Sequence, residues 1–296
     1  MKENNGQPTK ISYKYILVDS VRIAYREAGA KDRPKLLLLH GFPASSHMFR
    51  NVIPQLAEHF HVIAPDLPGF GFSEIPSPNT FKYSFENYAK LMAQFLEVLN
   101  IKSASFYLFD YGAPILMRML INRPQMVEML IFQNGNIYDE GIGDVVKDVG
   151  KLYNEDTFES YFKLKRYFEF DYLKWEYING VQDISNIAVE SYTLDHFLMK
   201  RDGVTAIQME LKKDYKTNVA LYADWQEFII RIQPVALIVW GANDEIFKKE
   251  GAQLLKRDLM HSKLIFYPTG HFALEEFGSE IAAEILSYWN INYNRL

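Results

Sequence analysis

The chain has 296 residues, 48% of them hydrophobic and 23% charged; this length allows one large domain or two small ones, and the composition excludes a disordered, collagen-like or coiled-coil protein. Its 32 basic and 37 acidic side chains leave a net charge of −5, which argues against a nucleic-acid partner, and zero cysteines remove disulfides, thiolate metal sites and a Cys nucleophile. No apolar run reaches the roughly 18 residues of a membrane span, and polar Met1–Lys10 lacks the apolar centre of a signal peptide, so no membrane partner and a cytoplasmic location are expected.

In chain order, Tyr15–Val18 and Val21–Arg26 read as a hairpin around Asp19-Ser20. Lys35–Leu39 is a continuous apolar run, as expected of a strand buried on both faces, and it ends in His40-Gly41-Phe42-Pro43. A helical pattern covers Ser45–Phe60 through Met48, Phe49, Val52, Ile53 and Leu56. His61–Ala64 is the next buried strand, running into Pro65-Asp66-Leu67-Pro68-Gly69-Phe70-Gly71. Ser84 opens a helix whose apolar positions include Tyr88, Leu91, Phe95 and Leu99. Strand Ser105–Phe109 is broken by Asp110-Tyr111-Gly112-Ala113, and Pro114–Ile121 returns to helix. Strands Met129–Phe132, Val235–Trp240 and Leu264–Tyr267 and a helix near Ile281–Trp289 complete the set. Such alternation predicts an α/β fold with a mostly parallel central sheet flanked by helices.

Residues 136–232 break the alternation. They carry no buried strand run, look helical, and are dense in tyrosine at 138, 153, 161, 167, 172, 177, 192, 215 and 222. They are expected to form a helical cap inserted after the sixth core strand, with 11–135 and 233–296 forming the core. A layer there covers the crevice at the carboxyl ends of the strands, where open α/β sheets bind ligands.

The sharpest chemical signal is Asp110. It stands on a tight strand-to-helix turn followed by the small residues Gly112 and Ala113, the context of a nucleophile elbow, with backbone N–H groups of the helix start close by. An aspartate there needs no base to be activated and can attack an sp³ carbon, leaving an alkyl ester. Hydrolysis of that ester needs a base, and His271 in Gly270-His271-Phe272 follows a strand. Asp244, in Trp240-Gly241-Ala242-Asn243-Asp244, also follows a strand and offers the group that orients it. Singly, each has a bland reading: Asp110 as a helix cap, His271 as a loop residue. Together, in the order nucleophile, acid, base, they predict a hydrolytic triad.

At these residues the chain resembles the α/β-hydrolase superfamily, in the epoxide hydrolase and haloalkane dehalogenase branch with an Asp nucleophile. The resemblance spans nearly everything after Ser12 and rests on His40-Gly41-Phe42-Pro43, Asp66-Leu67-Pro68-Gly69-Phe70-Gly71-Phe72-Ser73, the Asp110 turn, Trp240-Gly241-x-x-Asp244 and Gly270-His271-Phe272. It implies an α/β-hydrolase fold, Asp110 as nucleophile, Asp244 as acid and His271 as base. It further implies an oxyanion hole from the backbone N–H groups of Phe42 and Tyr111, and a cis Phe42–Pro43 peptide. Leu108, two before Asp110, replaces the family's small residue and implies altered packing behind the turn. Tyr111 stands where dehalogenases of this branch place Trp, and Phe42 where they often place Asn, so both halide donors are missing. Epoxide hydrolases of the branch protonate the ring oxygen from cap tyrosines. Tyr215, in Asp214-Tyr215-Lys216-Thr217-Asn218, is the first candidate and Tyr153 the second, with Tyr161 in competition. The resemblance also makes Asp139 and Glu140 reserve acids.

The remaining motifs read structurally. Glu275 and Glu276 begin the last helix, Asp66 shapes its loop, and Lys163-Leu164-Lys165-Arg166 is a solvated helix face. His47, His59, His61, His196 and His261 lack metal-ligand spacing, and Gly69 and Gly71 form no dinucleotide fingerprint, so no metal or cofactor is expected. The cap aromatics imply a small apolar or aromatic substrate. The expected activity is epoxide hydrolysis through an alkyl-enzyme ester; the alternatives are dehalogenation, hydrolysis of another activated carbon or ester, and a small-ligand binding protein with residual hydrolase activity. Oligomeric state is not readable.

Overall fold

A computed structural model describes residues 10–292. The polar segment read above as lacking a signal peptide lies, apart from Lys10, outside the described residues. Eight strands form one sheet: β1 Ser12–Val18, β2 Val21–Ala28, β3 Lys35–Leu39, β4 His61–Pro65, β5 Ala104–Phe109, β6 Val127–Gln133, β7 Val235–Gly241 and β8 Ser262–Tyr267. Their order is β1-β2-β4-β3-β5-β6-β7-β8. The β1–β2 and β2–β4 pairs are antiparallel and every pair from β4–β3 to β7–β8 is parallel. The mostly parallel α/β sheet expected from the sequence is therefore present.

The apolar runs are continuous because both faces are covered. Leu37, Leu39, Phe106, Leu108, Leu130 and Phe132 point into one core layer. Their neighbours Leu36, Leu38, Tyr107, Phe109, Met129 and Ile131 point into the other, as the two-residue period of a strand requires. On the first face lie helices that include α2 Phe85–Val98 and α3 Gly112–Leu120. On the second lie α1 Ile53–Leu56 and the long C-terminal helix Ala273–Asn292. Full burial of each such side chain contributes about 1.5–3 kcal/mol. Ser84 caps α2 by accepting from the Asn87 N–H.

One expected helix is largely missing. Ser45–Phe60 forms only a 3₁₀ turn at Ser46–Phe49 and the four-residue α1, although the apolar positions are buried as expected. Pro54, at the start of α1, has no N–H to donate to the preceding turn, so a continuous helix cannot form.

Between β6 and β7 the chain is helical: α4 Asp144–Glu155, α5 Phe158–Lys165, α6 Phe170–Ile178, α7 Val189–Met199, α8 Val204–Asp214, α9 Lys216–Val219 and α10 Tyr222–Ile232. Polar ties anchor these helices to the sheet's own. Asp214 accepts from the Phe85 N–H, Arg118 binds Asn218 and Thr217, and Arg50 makes a two-pronged pair with Glu275 while also binding Ser191. After β7 comes α11 Lys249–Asp258, and the C-terminal helix is α12, kinked at Phe277. Among the described residues no helix is long and apolar enough to cross a membrane.

Candidate active site

The turn after β5 is tight because glycines let backbone meet backbone. Asp110 itself has φ +42°, a left-handed conformation that costs a non-glycine residue strain. A Cβ on Gly112 would lie 2.5 Å from the Leu39 carbonyl, so only glycine lets α3 start so close to β3. Gly135, just beyond β6, leaves room for the Leu108 carbonyl and the Ala113 methyl, where a Cβ would sit at 2.6 and 2.9 Å, so backbone packs closely behind the turn.

Asp110 is 5% exposed. Its Oδ1 accepts the Phe42 N–H at 2.6 Å, and the Tyr111 N–H also acts on the carboxylate, lowering its pKa. The Phe42–Pro43 peptide that precedes this loop's return is cis. Burial raises the Asp110 pKa above the ordinary 3.8, while His271, the two N–H groups and Lys212 pull it back. Oδ1 is thus held by the Phe42 N–H, and Oδ2 is turned toward His271 at 3.8 Å, longer than a hydrogen bond.

His271 sits in the loop after β8, packed against Phe109 with ring centroids 4.8 Å apart. Its Nδ1 lies 2.8 Å from Asp244 Oδ2, which fixes the ring and leaves Nε2 toward Asp110, buried and with no other hydrogen-bond partner. Burial alone would lower the His271 pKa, but the Asp244 carboxylate outweighs it, with Asp110 and Glu176 adding, so the net shift is upward from 6.5. Asp244 is fully engaged: Oδ2 also accepts from Asn134 Nδ2 at 2.7 Å, and Oδ1 from the Ile246 N–H at 2.7 Å. The arrangement supplies a carboxylate with one oxygen on the Phe42 N–H, the other facing the base, and an oriented base.

A cavity of about 230 Å³ opens on Asp110 and is lined mainly by apolar side chains. That is below the 300–1,000 Å³ of drug-sized sites and suits a small ligand. Tyr215 and Tyr153 both line it. The Tyr215 hydroxyl is 3.1 Å from that of Tyr222, and its ring packs on Tyr111 and Phe85. The Tyr153 hydroxyl already donates to the Met209 carbonyl at 2.7 Å. Tyr161 is half-exposed and faces a different groove. Asp139 and Glu140 are exposed and make no contact with His271. Asp66 accepts the N–H groups of Ser46 and Phe72, the loop-shaping role expected of it. Among the described residues no group of three acidic, His or Cys side chains is placed to hold a metal ion.

Four functional neighbours escaped the sequence reading. Asn134 braces Asp244, and Gln133 beside it donates to the His271 carbonyl at 2.8 Å. Gln133 ends the buried strand β6 and Asn134 follows it, which was the available signal. Lys212 and Glu176 line the cavity with Asp110. Lys212 lies three residues before Tyr215, a spacing that puts two side chains on one helix face. Glu176 is 3% exposed, and burial pushes its pKa up to about 8.

Residues 34–175 match a family described as alpha/beta hydrolase fold. The chain is 40% identical over 284 residues to an uncharacterized hydrolase of Saccharomyces cerevisiae, covering 95% of this chain and 97% of that one. A haloalkane dehalogenase of Bradyrhizobium diazoefficiens is 36% identical over 127 residues, 43% of this chain and 40% of its own. Among solved structures, the epoxide hydrolase CorEH superposes with a TM-score of 0.75 at 18% identity, covering 95% of this chain and 99% of that one.

Proposed function

The chain belongs to the α/β-hydrolase superfamily, in its haloalkane dehalogenase and epoxide hydrolase-like branch, and is a hydrolase; from that premise we propose that it opens small apolar or aromatic epoxides through a covalent ester on Asp110. The carrying observation is the split use of one carboxylate: Oδ1 accepts the Phe42 N–H, while Oδ2 faces His271 at 3.8 Å without a hydrogen bond to it. A serine-type site keeps its oxyanion donors for the substrate; here one of them holds the enzyme's own oxygen.

In the first step Oδ2 attacks a ring carbon, the ring C–O bond breaks, and the alkoxide takes a proton from the Tyr215 hydroxyl. In the second, His271 Nε2 removes a proton from water, whose oxygen adds to the Asp110 carboxyl carbon. Charge builds on Oδ1, which the Phe42 N–H already holds and beside which the Tyr111 N–H is expected to complete the hole that stabilises tetrahedral intermediates. The bond from that carbon to Oδ2 breaks, the diol leaves with Oδ2 and the His271 proton, and the new carboxyl proton restores Tyr215. Helices α4–α10 act as a cap that encloses the substrate over the strand ends. Tyr111 and Phe42 supply no indole or amide donor for a departing halide, which favours epoxides over haloalkanes.

The experiment is a single turnover in ¹⁸O-water with a panel of epoxides, haloalkanes and esters. An epoxide substrate should place the label in the Asp110 peptide and leave the diol unlabelled. Label only in the product overturns the covalent route, and halide release with no epoxide opened transfers the reading to a dehalogenase.

A further inference from the structure

Two polar groups in the cavity have no part in the steps above. Lys212 Nζ sits 3.7 Å from the centre of the Phe42 ring and makes no hydrogen bond or ion pair with the described residues. Glu176 lies on α6, across from it, with Oε2 buried and unpartnered. An ammonium with no hydrogen bond and a carboxyl whose Oε2 has none are costly beside an apolar lining. Tyr172, one turn before Glu176, leans on its carboxyl from the same helix.

Resting on the epoxide reading, we propose that Lys212 and Glu176 form a carboxylate-binding subsite, so that the substrate is a small epoxide carrying a carboxylate held there while its ring carbon faces Asp110. Charge supports this choice. The Asp110 carboxylate by itself repels an anion; Lys212 cancels that charge, since both face one cavity. Glu176, kept neutral by burial at pH 7, then donates its proton as a hydrogen bond beside the ammonium. Two donors on facing helices make a fork suited to two carboxylate oxygens. The Phe42 ring steers the ammonium: it is a cation–π contact at 3.7 Å, and the same residue's N–H holds Asp110. Subsite and nucleophile are therefore fixed to one residue, which sets the distance between carboxylate and reacting carbon.

The test compares 3-phenylglycidate with 3-phenylglycidol, which differ in charge but share a ring system. The wild type should prefer the acid in kcat/KM by about 10-fold or more, the worth of one charge-assisted hydrogen bond. Lys212→Met should remove that preference, mainly through KM, and Lys212→Arg should keep part of it. Equal losses on both substrates in Lys212→Met, or a wild-type preference for the alcohol, overturn the subsite. A second arm needs no turnover: calorimetry of Asp110→Asn with 3-phenylpropanoate and 3-phenylpropanol, with and without Lys212→Gln. Acid binding that depends on Lys212, with no epoxide opened by the wild type, keeps the subsite and discards the epoxide reading. Epoxide turnover with no preference for the acid in either arm does the reverse.

Discussion

The division of labour between Asp110 and His271 is the sharpest point at which the mechanism can be broken. In His271→Gln the base is gone, but Asp110 keeps the Phe42 N–H on Oδ1 and its other oxygen, so the alkyl ester should still form. The second step should slow by the full contribution of a general base, about 10²–10⁴-fold or roughly 3–5 kcal/mol. The full value applies because nothing else in the cavity can replace the imidazole at pH 7. Burial lowers the Lys212 pKa against the pull of Glu176 and Asp110, but no contact places its Nζ on Asp110, and Glu176, pushed up to about 8, is mostly protonated at pH 7. His271 Nε2 lies 3.8 Å from Asp110 Oδ2 with no other partner, so its loss leaves the rest of the site in place. The assay is mass spectrometry of the Asp110 peptide after seconds of reaction at pH 7, where Glu176 is still mostly protonated. A persistent adduct of the substrate's mass is expected. Turnover near the wild-type rate, or an attack step slowed as much as hydrolysis with no adduct, would refute the division.

Asp110→Ala should abolish turnover, read as loss of diol formation with an unchanged melting temperature. Tyr215→Phe keeps the ring and removes the hydroxyl, and epoxide opening should fall by at least about tenfold, measured as the rate of ester formation. Tyr153→Phe alone should change it by less than about threefold, because that hydroxyl's proton is already given to the Met209 carbonyl. Ester hydrolysis should fall as pH drops through the His271 pKa, which lies above 6.5 because of Asp244, and a pH profile of single-turnover hydrolysis checks it. Asn134→Ala should shift that limb to higher pH, since Asp244 Oδ2, relieved of a donor, holds the His271 proton more tightly. For a carboxylate substrate, KM should rise above about pH 8 as Glu176 ionises and repels it; Lys212 on α8, Asp110, His271 and the Tyr172 hydroxyl face that carboxyl and shape the titration.

Local signals explain what could be read without coordinates. Buried parallel strands announce themselves as unbroken apolar runs, so β3 and β7 are legible in five to seven residues. Asp110, Asp244 and His271 each stand directly after such a run, and the sheet's parallel order brings all three to one edge. Turn chemistry is equally local: small residues after Asp110 mark the elbow before any contact is known. The sequence also carried the reason why Ser45–Phe60 is not one helix, in Pro54, but periodicity masked it. Tertiary packing decided the rest. Tyr153, Tyr161 and Tyr215 are the same side chain on or beside cap helices, and only the packing of α4, α5 and the α8–α9 junction sends two to the cavity and leaves one half-exposed. Asn134 could not be told from a loop amide until β7 set Asp244 beside it at 2.7 Å. Lys212 and Glu176 belong to helices whose surfaces are rich in charge, and a lysine on a solvated face has the same sequence signature as one over Phe42. A strand's partner faces follow from its period, whereas a helix buries whichever stripe its neighbours cover, and that is settled only when the elements are assembled.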